Sequence, residues 1–226
     1  MKEKIKVVLI DADDTLLAFK PCAKKSLEDA CDAFSLTLPD NALDVFFKIN
    51  DELWRALERK ELTFEKLHEI RWIKIFAELG VDFDGPTFES VFWKRLREIA
   101  VEMDGAKELL TYLKGKYKIC VASNAPVGQQ NRKLTDIGLI DFIDEFFVSG
   151  EIGFAKPTKE FFSACMDRLG VGVDEVVMIG DSLTADVKGA KAFGIKAIWF
   201  NHRREDESDC PADKIVYNLT DIKEIL

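Results

Sequence analysis

Ile5-Lys6-Val7-Val8-Leu9-Ile10 runs through six residues with one polar interruption and stops abruptly at Asp11-Ala12-Asp13-Asp14-Thr15. A run that is β-branched and almost wholly apolar reads as a strand buried on both faces, which is the condition of a parallel sheet. Parallel neighbours cannot be joined by tight hairpins; they need crossovers, usually helical. This opening therefore commits the chain to an α/β architecture with helices on both sides of the sheet. It also places carboxylates at a strand's carboxyl end, where open parallel sheets hold their ligands.

The remaining strands lie far downstream. After Asp104-Gly105 the pattern alternates: helix at Ala106 to Leu113, strand at Tyr117 to Ala122, short strand at Glu145 to Val148, helix at Thr158 to Leu169. It continues with a strand at Glu175 to Ile179, a helix at Leu183 to Phe193, strands at Ile195 to Phe200 and Lys214 to Tyr217, and a terminal helix at Asp221 to Leu226. Such alternation implies βαβ units. Between the first strand and the rest, from Pro21 to about Ala100, apolar residues fall at helical spacing. Leu43, Phe46, Phe47, Leu53, Trp54 and Leu57 share one stripe; Phe64, Leu67, His68, Trp72, Ile75 and Leu79 follow Thr63, a candidate N-cap; and Pro86-Thr87 opens a third segment with Phe88, Val91, Phe92, Leu96 and Ile99. The expected organisation is a Rossmann-like parallel-sheet core over residues 1–18 and 100–226, with an inserted all-helical domain over 19–99.

Charge and cysteine usage narrow the function classes. The 226 residues carry 32 basic against 41 acidic side chains, a net charge of −9. A nucleic-acid polymer would be repelled, whereas a small anionic substrate is acceptable where a local cation offsets the field. No apolar run approaches the length of a membrane span, and Ile5 to Ile10 is too short for a signal-peptide apolar region. Five cysteines without a C-x-x-C spacing, and two distant histidines (His68 and His202), make neither a disulfide framework nor a zinc site. Reduced thiols and a cytoplasmic location are expected. His68 reads as a core histidine and His202-Arg203-Arg204 as a solvated loop. Trp54, Trp72, Phe92 and Trp93 read as helical core, and Phe19, just after the first strand's loop, as a pocket candidate.

Four strand ends carry polar groups: Asp11 and Asp13; Ser123 and Asn124; the loop bearing Lys156; and Asp181 with Asp186. Three or more carboxylates facing one lysine repel each other by about 4 kcal/mol per 4 Å pair at an effective dielectric near 20. A hard divalent cation bound through oxygens relieves this, and Mg²⁺ suits carboxylates together with a phosphate. The chemistry implied is phosphoryl transfer on a small phosphorylated metabolite.

Asp11-x-Asp13-x-Thr15, Ser123-Asn124, Lys156-Pro157 and Gly180-Asp181-Ser182-x-x-x-Asp186, in that order, resemble the motifs of the haloacid dehalogenase superfamily, and the helical insertion resembles that superfamily's cap. The resemblance implies that Asp11 is the nucleophile, forming an aspartyl phosphate, and that Asp13 is the general acid–base. It further implies that Asp11, Asp181 and the Asp13 main-chain carbonyl hold Mg²⁺, and that Ser123, Asn124 and Lys156 bind the phosphate. Asp186 would steady the metal or Lys156 from one shell further out. Within the superfamily the chain looks most like the pyrimidine 5′-nucleotidase branch, with departures: Asp14 and Ala125 stand where glycine is frequent, and Phe193 where a small residue is common. The alternatives in order are a sugar-phosphate phosphatase or mutase, a 2-haloacid dehalogenase, against which Asp13 argues, and a non-catalytic interaction module.

Overall fold

The computed structural model describes residues 4–226 apart from positions 60 and 127. The chain divides into two compact units, Met1–Phe19 with Ala100–Leu226, and Lys20–Ile99.

The first unit is built on six strands: β1 (Val7–Ile10), β2 (Lys118–Ser123), β3 (Glu145–Val148), β4 (Val176–Gly180), β5 (Lys196–Phe200) and β6 (Lys214–Val216). All pair in parallel, in the order β3-β2-β1-β4-β5-β6. Side chains alternate between two cores, as a two-per-repeat pleat requires. Val8, Ile10, Ile119, Val121, Val177, Ile179, Ile198 and Phe200 face one core. Val7, Leu9, Cys120, Ala122, Val176, Met178, Ala197 and Trp199 face the other. The first core is closed by Ala106, Leu109, Leu110 and Leu113 of helix α5 and by Leu219 and Ile222 near the C-terminus. The second is closed by Phe161, Phe162, Cys165 and Met166 of helix α8. Burying a large apolar side chain stabilises by about 1.5–3 kcal/mol, so two filled faces fix the register of the central strands.

The helices of this unit are α5 (Ala106–Leu113), α6 (Gln129–Asp136), α7 (Ser149–Ile152), α8 (Lys159–Leu169) and α9 (Gly189–Phe193). Several segments differ from the sequence expectation. The segment expected as one helix over Leu183 to Phe193 is a π-helical turn, Leu183–Lys188, followed by α9. The terminal helix is a 3-10 helix, Leu219–Glu224, where the Asp221 carboxylate accepts from the Asn218 backbone and side chain and tightens the turn. Helix α6 was not anticipated, because its sequence, QQNRKLTD, has no apolar stripe.

The second unit holds α1 (Phe19–Phe34, its first residue in the first unit), α2 (Ala42–Glu58), α3 (Phe64–Leu79) and α4 (Gly85–Glu98). Pro21 lies in the first turn of α1, where its missing N–H is harmless. Thr63 caps α3 by accepting from the Lys66 N–H, and Asp84 caps α4 by accepting from the Thr87 N–H, with Pro86 in the helix's first turn as the sequence suggests. The unit's core is aromatic: Trp72 packs on Phe46, Phe88 and Phe92 with ring centroids 5.7, 4.4 and 5.1 Å away. Within it the buried Arg71 binds both oxygens of Glu89 (3.1 and 2.6 Å) and the Asn50 side-chain oxygen (3.0 Å), and His68 Nδ1 lies 2.7 Å from Glu89. Among the described residues, no helix is long and apolar enough to cross a membrane.

Candidate active site

The carboxyl ends of β1, β2, β3 and β4 open on one side of the sheet because every strand runs the same way. Ile10 is in register with Val121 and Ile179, so Asp11, one residue on, stands between the ends of β2 and β4. Ser123 is the last residue of β2, Asp181 follows β4, and Lys156 comes from the loop after α7. The structure thus brings Asp11, Ser123, Lys156, Asp181 and Asp186 to one place.

Lys156 is its centre. Its Nζ donates to Asp11 Oδ1 and Asp186 Oδ1, both at 2.6 Å, and to the Ala122 carbonyl at 2.5 Å. Lys156 is 3% exposed and Asp186 1%, which excludes solvated-surface readings for either. Asn124 fixes this loop through a two-point pairing: its Nδ2 donates to the Lys156 carbonyl and its Oδ1 accepts the Lys156 N–H, each at 2.8 Å. The Lys156-Pro157 bond is cis.

Asp186 is held by the π-helical turn, of a kind that often marks functional sites. Its Oδ2 accepts the Ser182 N–H at 3.0 Å. Gly180 makes room for it: a Cβ there would meet Asp186 Oδ2 at 2.1 Å, so no larger residue fits without displacing the carboxylate. Asp181 is fixed through its main-chain carbonyl, which accepts from Trp199 Nε1 at 2.7 Å, and its Oδ1 lies 3.5 Å from the Thr15 hydroxyl.

The electrostatics follow from burial. Desolvation lifts Asp11 to about 8 against the pull of Lys156, with Asp186 adding repulsion. Asp181 is likewise pushed well above the usual carboxylate range by burial and by its acidic neighbours Asp14, Asp11 and Asp186. Lys156 is disfavoured as a cation by burial, yet Asp11 and Asp186 hold its pKa above the ordinary value. One ammonium therefore does not saturate the cluster. Oxygens of Asp11, Asp181 and Asp186 lie within 4.8 Å of one another. Such an all-carboxylate donor set fits a hard divalent cation.

The Asp13 carboxylate faces helix α6 and not Lys156. Gln130 Nε2 donates to its Oδ2 at 2.5 Å and to Ser123 Oγ at 3.0 Å, and Lys133 Nζ lies 3.5 Å from its Oδ1. The 202–204 loop also departs from expectation. It is not simply solvated, because Arg203 donates to Asp14 Oδ2, His202 Nε2 lies 3.6 Å from the same oxygen, and Arg203 reaches to 4.0 Å from Asp181. Burial works to raise the Asp14 pKa, but His202 and Arg203 hold it down to about 2. Gln130 and Lys133 escaped sequence reasoning, and His202 and Arg203 were read there as part of a solvated loop. The available signal was faint: Gln130 and Lys133 are three residues apart just after the Ser123-Asn124 strand end.

A family model described as a haloacid dehalogenase-like hydrolase matches residues 5–194. The chain is 30% identical over 200 residues to YfnB of Bacillus subtilis, described as a HAD-hydrolase, covering 88% of this chain and 85% of that protein. It is 27% identical over 224 residues to the pyrimidine 5′-nucleotidase PynA of Streptococcus pneumoniae, covering 98% and 94% respectively. A crystal structure of YfnB bound to magnesium superposes with a TM-score of 0.92, at 28% identity and 99% coverage of both chains.

Proposed function

The chain belongs to the haloacid dehalogenase-like hydrolase family, and from that premise we propose that it hydrolyses phosphate monoesters of small metabolites with Mg²⁺, nucleoside monophosphates foremost. The observation that carries the reading is Lys156 bridging Asp11 and Asp186 at 2.6 Å each, with a second carboxylate, Asp13, held apart from that pair. A nucleophile neutralised by a buried lysine and a separate acid–base group are the two parts a two-step phosphoester hydrolysis needs.

An Asp11 oxygen attacks phosphorus, the bond from phosphorus to the leaving oxygen breaks with its electron pair, and Asp13 delivers a proton to that oxygen. Water then attacks the aspartyl phosphate, Asp13 takes the water's proton, and the bond from phosphorus to Asp11 breaks. Inorganic phosphate leaves and both carboxyl groups return to their starting states. Lys156, the Ser123 hydroxyl and the Asn124 main-chain N–H are assigned to the phosphoryl oxygens. Asp11, Asp181 and the Asp13 carbonyl would hold Mg²⁺, with Asp186 steadying Lys156. Bound Mg²⁺ supplies positive charge to the phosphoryl oxygens and offsets the carboxylate excess.

The helical unit, Lys20–Ile99, carries none of these residues and is assigned to choosing the substrate. The nucleotide preference is supported by the similarity to PynA. Five free thiols suit a reducing cytoplasm.

A phosphoester panel with and without Mg²⁺ tests the reading. Nucleoside monophosphates should turn over faster than sugar phosphates, and exhaustive chelation should abolish turnover. Asp181→Ala should lower metal affinity and activity together. Undiminished turnover after chelation, or inactivity on every phosphoester, would overturn it.

A further inference from the structure

Helix α6 presents two polar residues to the site, and neither behaves as a surface residue. Gln130 is fully buried and Lys133 is 5% exposed. The helix begins at Gly128, whose left-handed conformation (φ 74°) turns the chain after β2. Residues three apart then share a face, which puts Gln130 and Lys133 beside the Asp13 carboxylate, one to each oxygen.

The chemistry of the Gln130 contacts fixes how its amide is oriented. In its ionised form, which it takes once its proton has gone to the leaving group, the Asp13 carboxylate only accepts, so the nitrogen of the amide faces Asp13 Oδ2. The second hydrogen of that nitrogen points to Ser123 Oγ, 3.0 Å away. A hydroxyl that accepts in this way still has its own proton to give. Meanwhile Gln130 Oε1 is buried and has no hydrogen-bond partner among the described residues. Leaving a buried acceptor unsatisfied is unfavourable for folding, so stability alone does not account for this arrangement.

We propose that Gln130 and Lys133 are positioning residues of the reaction proposed above: a two-point clamp on α6 that holds the Asp13 carboxylate in place for proton transfer, while Gln130 leaves the Ser123 hydroxyl free to donate to the phosphoryl group. Each residue acts through another. Gln130 bonds both Asp13 and Ser123, whereas among the described residues Lys133 pairs with Asp13. The two should therefore have separable signatures.

The clamp rests on the phosphoester reading, and the experiment keeps the two apart. Gln130→Met, Lys133→Met and Lys133→Arg are compared with the wild type at saturating Mg²⁺. Kinetics are taken on p-nitrophenyl phosphate, whose leaving group needs little protonation, and on a nucleoside monophosphate, whose alkoxide needs it. Inhibition by inorganic phosphate reports the phosphoryl pocket. General acid catalysis is worth about 10²–10⁴-fold, so a loosened acid should lower kcat for the nucleotide by about 10–100-fold. On p-nitrophenyl phosphate the loss should be about tenfold smaller. Gln130→Met should also weaken inhibition by phosphate several-fold, Lys133→Met should leave it unchanged, and Lys133→Arg should restore most of the nucleotide rate. Far-UV circular dichroism and thermal melts establish that each variant is folded; if Gln130→Met fails to fold, the two Lys133 variants decide the leaving-group arm. Equal losses on both substrates, or none, would overturn the clamp while leaving the phosphoester reading intact. Wild-type inactivity on both substrates would overturn that reading and the clamp with it.

Discussion

Asp14 sits at φ 61°, in the left-handed region that favours glycine. Asparagine and aspartate tolerate it better than other side chains, because they can bond locally. Here Oδ1 accepts the Phe19 N–H at 3.1 Å and Oδ2 takes Arg203. Removing the carboxylate loses those bonds, and what replaces it decides whether the backbone is relieved or strained. Asp14→Ala should therefore be less stable than Asp14→Gly, by about 1 kcal/mol from the left-handed penalty alone; denaturant melts of both measure the order, and the reverse order would refute it. The thiols make a second prediction at this scale. Burial lifts Cys120 and Cys165 to about 12. An acid whose pKa is raised by folding favours the folded state below its unfolded pKa, here near 8.5. That contribution is lost as pH rises from about 8.5 toward 12. Stability should fall over this window less steeply in Cys120→Ala than in the wild type, and iodoacetamide at pH 8 should leave both thiols unmodified until the chain unfolds. At this scale the strand-end residues were legible because a buried run followed by a polar residue is a local signal. The partners Gln130 and Arg203 were not, since they meet Asp13 and Asp14 across 117 and 189 positions, a distance no local pattern spans.

Among the elements, α3 and α4 are joined by more than their aromatic stripe. Arg71 is 1% exposed and Glu89 6%, and the pair binds across the two helices. A buried pair is weak evidence for stability, but breaking one by removing a partner costs about 3–5 kcal/mol, because the other charge stays behind. Arg71→Met should cost that much, whereas the double replacement Arg71→Met with Glu89→Leu should cost clearly less. A double variant as unstable as the sum of its parts would contradict this. His68 on the apolar stripe was expected as a core residue, and its ring does lie at 4.1 and 4.5 Å from those of Trp93 and Phe64. The Arg71–Glu89 pair was hidden because a charge inside an apolar stripe does not announce its partner. Helix α5 was legible to the residue, while α6 was not, since tertiary position holds it and no stripe marks it.

For the molecule as a whole, the alternation of strand and helix after Asp104 was enough to anticipate a parallel sheet, and the order of its strands puts β1 at the centre. Strand order itself could not be read from the chain, because every parallel order has the same buried-run signature. If the chemistry resides in the first unit, replacing residues 20–99 by a short Gly-Ser linker should leave a folded sheet. That core should still hydrolyse p-nitrophenyl phosphate with Mg²⁺ while discriminating little among phosphoesters; a folded but inert core would contradict the assignment. The geometry of the junction favours the first outcome. Leu17 and Glu102 form an antiparallel bridge, and the Ala18 N–H bonds the Val101 carbonyl at 2.9 Å, so the outgoing and returning chains are already tied together. Doubling the length of a closed loop costs only about 0.6 kcal/mol, so the sheet is nearly indifferent to what hangs beyond that knot. If the helical unit chooses the substrate as proposed, a descendant of this chain could exchange or lengthen its insert beyond that knot and change what it acts on while its chemistry stayed in place.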